Sequence, residues 1–405
     1  MVSAEVANPG PLNGIRVLEL GQLIAGPYAS SLLAYFGAEV IKVESPRGGD
    51  PLRRWRQMHG ENSYWWYSLA RNKKSISLDL NQADGQQVLR KLIPQMDVLV
   101  ENFRPGVLEK WGLGPDELKG INPDIQIARI SGYGQTGPLS QKPGFASVCE
   151  GFSGFRYVNG FEGDAPVRPN LSIGDTIAGM HAVMGILMGL LQRERSGEKN
   201  CGQVIDVSLY ESMFSLMEAV IPEYTGAGVV RQPSGTTVTG IVPTNTYRCA
   251  DGKYLIIGGN GDSIFKRLMN AIGREDMAND QDLAENPGRV KNEARIDAAL
   301  SNWCATLNIG DAMSILDAAR VPAGPIYSAE DIVEDRHYHA RDMLEAVSVD
   351  GQEFSIPSYA PKMEKSPGQT RWVGPQLGEH NAEIYQQMLG MTDEQIAALR
   401  EKQVI

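Results

Sequence analysis

Residues 14–44 read GIRVLELGQLIAGPYASSLLAYFGAEVIKVE, and this stretch decides the fold. Residues 15–20, Ile15-Arg16-Val17-Leu18-Glu19-Leu20, read as a strand. A helix over 30–36 follows, entered through Gly26-Pro27 and closed by Gly37, and residues 40–43 make a second strand. Strand, helix, strand implies a parallel sheet with helices on its faces. Glu44, at the end of the second strand, stands where dinucleotide-binding folds place a ribose-binding acid. Yet Gly21-Gln22-Leu23-Ile24-Ala25-Gly26 lacks the G-x-G-x-x-G spacing, so a nicotinamide dinucleotide is disfavoured.

Downstream the pattern repeats. A short strand is expected over 76–80, a helix over 82–93, and strands over 98–100 and 127–130. In open α/β sheets ligands bind beyond the carboxyl ends of the strands. The strand over 98–100 runs out into Glu101-Asn102-Phe103-Arg104-Pro105-Gly106. That loop suits a purine with phosphates, because Phe103 can stack and Arg104 or Lys110 can pair charge.

The chain has 405 residues, 42% hydrophobic and 21% charged, which suggests an ordinary globular protein of about two domains. No apolar run approaches a membrane span in this reading, and Met1 to Gly10 lacks an apolar signal core. The four cysteines have no metal or redox spacing and read as reduced thiols. A cytoplasmic protein is therefore expected. The net charge of −11 argues against nucleic acid. It is uneven, with twelve Lys/Arg against eight Asp/Glu from Lys42 to Lys110. Such a cationic segment either holds a small polyanion or is a solvated face.

A long helix follows Asp175, with Ile177, Met180, Met184, Leu187 and Leu191 on one face and Ala178, Ala182, Gly185 and Gly189 on another. The second stripe lets another backbone pack closely. Arg193, Arg195 and Gly197 mark its end. Asp175 is placed as the N-cap, where free backbone N–H groups lower a carboxyl's pKa. By itself this is a cap.

The ordered motifs give the carboxylate a second meaning. They are Gly26-Pro27 with Gly37-Ala38-Glu39-Val40-Ile41-Lys42-Val43-Glu44, then Arg71-Asn72-Lys73-Lys74-Ser75-Ile76 and Val100-Glu101-Asn102-Phe103-Arg104-Pro105-Gly106. Ser131-Gly132-Tyr133-Gly134, Gly174-Asp175 and Pro375-Gln376-Leu377-Gly378-Glu379-His380 complete the set. As a set they resemble the class III CoA-transferases, with succinyl-CoA transferases acting on malate or citramalate as the most similar branch.

The resemblance implies that Asp175 attacks the thioester of an acyl-CoA, forming a mixed anhydride and then an aspartyl-CoA thioester. It places Leu78, Asn102 and Phe103 around the adenine, Lys110 near the 3′-phosphate, and Ile24 and Ala25 along the pantetheine and acyl end. Lys74 and Arg104 join the CoA-binding residues. Ser45 stands where formyl-CoA transferases have a phosphate-pairing Arg, and Arg47 takes over that contact. Ala146 stands where the family often has an acid. The racemases of the same fold have a histidine at the position of Phe145, which cannot carry a proton.

Gly258-Gly259-Asn260-Gly261 matches a glycine loop that closes over the aspartate and excludes water. Residues 245–249 and 254–257 form a hairpin leading into it. His337 and His339 do not make a metal site, and His380 is expected to be structural. The implied architecture is α/β: a Rossmann-like large domain (1–224), a smaller α+β domain (225–330) and a returning segment (331–405), in an interlocked dimer. The substrates are an acyl-CoA and a dicarboxylate, with no permanently bound cofactor or metal, no nucleic acid and no membrane. The partner is a second copy or a related subunit. The alternatives are an acyl-CoA racemase and a CoA-binding, non-catalytic partner subunit.

Overall fold

The structure, a computed structural model, describes residues 10–405. The polar start discussed above lies, apart from Gly10, outside the described residues. The chain forms two compact units. One takes the residues up to Phe155 with Arg168–Ala219 and His339–Ile405, and the other takes Arg156–Val167 and Val220–Tyr338.

The first unit is built on six strands: β1 (Arg16–Glu19), β2 (Glu39–Glu44), β3 (Lys73–Ser77), β4 (Val98–Glu101), β5 (Gln126–Ser131) and β6 (Val204–Ser208). All neighbours are parallel and the order is β3-β2-β1-β4-β5-β6. The order reverses between β1 and β4, which is where a doubly wound sheet opens a crevice. Side chains alternate between two apolar layers, as a sheet covered on both faces requires. Val17, Val40, Val98 and Ala128 enter one layer. Leu18, Ile41, Leu99 and Ile127 enter the other.

The first layer holds α1 (Ala25–Tyr35) and a long helix (Ile173–Ser196). The second holds α2 (Ala83–Leu92) and the end of the chain, including Ile384, Tyr385 and Val404. His380 is a structural residue there, its Nδ1 accepting the Ser75 N–H at 3.2 Å.

The strand expected over 76–80 lies three residues earlier. Lys73 opens it because its ammonium is buried against Glu19 at 2.8 Å, a partner that sequence alone does not reveal. β6 and an antiparallel hairpin, Leu344–Val349 with Gln352–Pro357, were not expected. The hairpin's partly exposed strands, interrupted by polar residues, carry little apolar signal.

In the second unit, β7 (Thr244–Arg248), β8 (Tyr254–Gly258) and β9 (Ala323–Pro325) form an antiparallel sheet. The expected hairpin is β7-β8. Helices pack over it around Phe265, Leu268, Ile296 and Leu316.

Candidate active site

The first unit carries a cavity of about 560 Å³ at the reversal point of its sheet. Gln22 to Ala25 after β1, Asn102 to Pro105 after β4 and Ile130 to Gly132 at the end of β5 form one wall. The opposite wall includes Lys142, Phe145, Arg168 and Asp175. β1, β4, β5 and, through Leu209, β6 contribute at their carboxyl ends, as the fold rule requires.

The first loop is held in an unusual shape. Leu23 has φ of +63°, a left-handed conformation that costs a branched residue free energy. Two carboxylate oxygens of Asp50 accept its N–H, at 3.0 and 3.2 Å. Asn102 accepts the Gln22 N–H and donates to the Gln22 carbonyl, both at 2.8 Å. Gly21 and Gly26 permit this approach, since a Cβ on Gly21 would lie 3.1 Å from the Gly26 Cα. Neighbouring Phe103 stands edge-on to Trp111, and its N–H reaches the Glu101 carboxylate at 2.7 Å.

Asp175 is carried by α4 (Ile173–Ser196), whose first turn packs against α3 (Ala146–Phe152). It is the third residue of α4 and not its cap. The N-cap is Ser172, whose side chain makes no capping bond. A carboxylate from α3 supplies the acceptor instead, with Glu150 Oε1 taking the Gly174 N–H at 3.3 Å. The expected lowering of the Asp175 pKa is also corrected. Burial first, and the Glu150 charge second, push it up to about 7, while Arg168 pulls it down. A carboxylate at the first turn of a helix, ionised in part at neutral pH, can act as nucleophile or base.

The stripes on α4 divide as follows. Ala178, Gly179, Ala182 and Gly189 are buried, α1 coming close enough that a Cβ on Gly179 would meet the Ala25 carbonyl at 2.9 Å. Met180, Met184, Leu187, Met188 and Leu191 stay 40–67% exposed. By length and mean hydropathy this helix could cross a membrane, contrary to the expectation from the sequence. The composition reflects a small-residue face packed in the protein plus an uncovered apolar face.

The cavity thus gathers Ile24, Ala25, Asn102, Phe103, Arg104 and Asp175. Leu78 is not among them, being 2% exposed in the core beneath the sheet. Lys74 lies between Glu39 and Glu383, 2.6 Å from each, near the start of its strand and away from the carboxyl ends. Arg47 is exposed, 3.6 Å from Asp79, and Lys110 is an exposed residue ending a short helix. Glu44 is no ribose ligand, since Arg53 holds it at 2.7 Å.

Four cations of the segment are neutralised from outside its own stretch. Lys42 and Lys73 pair with Glu19, Lys74 with Glu39 and Glu383, and Arg71 faces Glu345. The cations that reach the cavity are Arg104, Lys142 and Arg168. Among the described residues none of the three has an ion-pair partner. Lys142, Arg168, Asp50 and Glu150 were missed in the sequence because loops and a neighbouring helix bring them in.

Gly258, Gly259 and Gly261 belong to the second unit. Gly258 ends β8, Gly261 caps the helix Asp262–Ala271, and Gly259 packs so closely on Leu268 that a Cβ would clash at 2.5 Å. The buried Arg289 donates to the Asn260 carbonyl at 2.6 Å and to Asp262 at 2.7 Å, which fixes the turn. Among the described residues no group of three His, Cys, Asp or Glu could hold a metal ion.

Comparison with known proteins gives this cavity its context. The pattern of CoA-transferase family III matches residues 12–381. A succinyl-CoA–D-citramalate CoA-transferase of Chloroflexus aurantiacus is 43% identical over 399 residues, covering 98% of each chain. The beta subunit of a succinyl-CoA–L-malate CoA-transferase from that organism is 39% identical, again over 98% of each. A crystal structure of a CAIB/BAIF family protein from Brucella suis superposes with a TM-score of 0.82 at 31% identity, covering 94% of this chain and all of that one. The fold, the extent of these matches and the identities agree that the chain is an enzyme belonging to CoA-transferase family III.

Proposed function

We propose that this enzyme moves coenzyme A reversibly between succinyl-CoA and a dicarboxylic acid of the malate or citramalate type, with Asp175 as covalent carrier. The carrying observation is the Asp175 carboxyl in the wall of the only-partly apolar cavity at the sheet's reversal point. Its oxygen attacks the thioester carbon, the C–S bond breaks, and a mixed anhydride and CoA thiolate result. The thiolate then attacks the aspartyl carbonyl, releasing succinate and leaving an aspartyl-CoA thioester. The acceptor carboxylate runs the two steps in reverse and frees the aspartate.

A carboxylate is a weak nucleophile, so holding the thioester close carries much of the rate. Phe103 and Arg104 lie at one part of the cavity and suit the nucleotide end, with Ile24 and Ala25 toward the acyl end. Phe145 lines the cavity without a proton-carrying group, which disfavours racemase chemistry. The test is to incubate the enzyme with succinyl-CoA, trap with hydroxylamine and map the product by mass spectrometry. Label on Asp175 is expected; label elsewhere, or none during turnover, overturns the assignment.

The pH profile follows from the raised pKa. Attack needs the ionised carboxylate, so kcat/KM for succinyl-CoA should rise with pH through about 7 and then level. Well below that value it should change roughly tenfold per pH unit. A profile flat from pH 5.5 to 8.5 would contradict this.

The dicarboxylate preference is supported by the two relatives and by Arg168 and Lys142 in the cavity wall, which form no ion pair among the described residues. A guanidinium there can hold the distal carboxylate of acyl donor or acceptor. Arg168→Gln should therefore lower kcat/KM for succinate by roughly 10–100-fold, while butyrate, lacking that carboxylate, changes little. Equal losses for both acids would remove Arg168 from substrate selection.

The apolar face of α4 supports assembly with a second copy or a related subunit, because such a face is otherwise left in water. Sedimentation of the purified chain, alone and active, separates the two cases and tests the silent-subunit alternative.

A further inference from the structure

Glu150 has no part in the reaction steps above, yet it is fully buried beside the residue that performs them. Oε1 accepts the Gly174 N–H, while Oε2 has no hydrogen-bond partner among the described residues. A buried carboxylate oxygen without a partner is costly, so its retention calls for a reason. The contact is close: a Cβ on Gly174 would lie 3.2 Å from both Ala146 Cβ and Glu150 Oε1. The absence of a side chain at Gly174 lets α3 press this carboxylate against the turn that presents Asp175. Glu150 also sits one helical turn after Ala146, on the same face of α3.

We propose that Glu150 is a positioning residue for Asp175: it holds the first turn of α4 by its backbone and sets a second carboxylate against the nucleophile, so that acylation relieves a like-charge contact. The inference rests on Asp175 being the nucleophile. As the Asp175 oxygen bonds to the thioester carbon, its negative charge moves to the carbonyl oxygen and then to the departing sulfur. Charge thereby leaves the neighbourhood of Glu150, which raises the free aspartate relative to the transition state.

The surrounding titratable groups are few. Cys149 lies on the same helix, its thiol pushed up to about 11 by burial, then Asp175 and Glu150. From α5 (Leu209–Phe214), packed on α3, come Tyr210 and Glu211, which bond each other at 3.2 Å. Tyr28 comes from α1, His181 is the next such residue on α4, and Lys142 and Arg168 stand on loops. Of all these, Glu150 and Arg168 are the ones that act on the Asp175 carboxyl.

Glu150→Gln keeps the size and the acceptor for Gly174 but removes the charge. The half-rise of kcat/KM against pH should move about one unit toward acid, and the alkaline plateau should fall roughly threefold. The two profiles then cross, which a purely structural loss, lowering all pH values alike, does not produce. Glu150→Asp, which withdraws the charge by one methylene, should shift the half-rise the same way by less. It also serves if the Gln variant fails to fold. Hydroxylamine trapping on the wild type runs alongside. A half-rise that stays at the wild-type value in either folded variant, with wild-type Asp175 labelled, overturns the role of Glu150. An unlabelled wild-type Asp175 overturns the nucleophile assignment and this inference with it.

Discussion

Asp175→Asn lowers CoA transfer by about 10^4-fold or more while the protein folds as before, since loss of a covalent nucleophile leaves only binding and orientation. Stability should move the other way. The folded-state pKa of Asp175 lies above its ordinary value, so the fold favours the neutral form. Stability from this group is present below the ordinary carboxylate range and is lost as pH rises through about 7. Asn is neutral at every pH and escapes that loss. At pH 8 the variant should therefore melt at or above the wild-type temperature, while at pH 5 the difference should vanish. Loss of activity together with a lower melting temperature at pH 8 would mean that Asp175 serves the fold, as a cap would. The exchange of stability for reactivity is common where a buried charge is kept for chemistry.

The sheet was legible because strands covered on both faces become continuous apolar runs, as in Val98-Leu99-Val100 and Ile127 to Ile130. At β3 a buried charge displaced the boundary: Lys73 looks like a surface residue until Glu19 is seen beside it. The same cause undid the charge argument. A window from Lys42 to Lys110 counts cations but omits Glu19, Glu39, Glu345 and Glu383, which come from elsewhere in the chain. The position of Asp175 at the start of a helix could be read from spacing, to within a turn. Its environment could not, because Glu150 and Arg168 approach from another helix and a loop. Leu78 shows the limit of carrying a role by position, its backbone lying near the strand end while its side chain points into the core.

Glu19→Ala is expected to cost about 3–5 kcal/mol of folding stability, the range for breaking a buried ion pair from one side. Glu19 lies under the cavity's first loop with no exposure, and receives Lys42 at 2.7 Å, Lys73 at 2.8 Å and the Ser30 hydroxyl at 2.6 Å. Lys42 also reaches Asp50 at 2.8 Å, so two cations and two anions balance. Burial opposes the charge of Glu19, yet Lys42 and Lys73 hold its pKa down at about 2. Its contribution is therefore present above the usual carboxylate range and lost as pH falls toward 2. Removing it strands one positive charge. Lys73, which burial already brings down to about 8, is the group able to release that charge by losing its proton. The stability deficit, measured as a shift in urea midpoint, should be largest near pH 6 and shrink by pH 9.5. A deficit below about 1 kcal/mol, or one independent of pH across that window, would show that the cluster is not held by its charges. Activity should fall as well, because the ammoniums that Glu19 anchors donate to the Gly21 and Pro27 carbonyls, 2.8 and 2.7 Å away, and so fix the loop that lines the cavity.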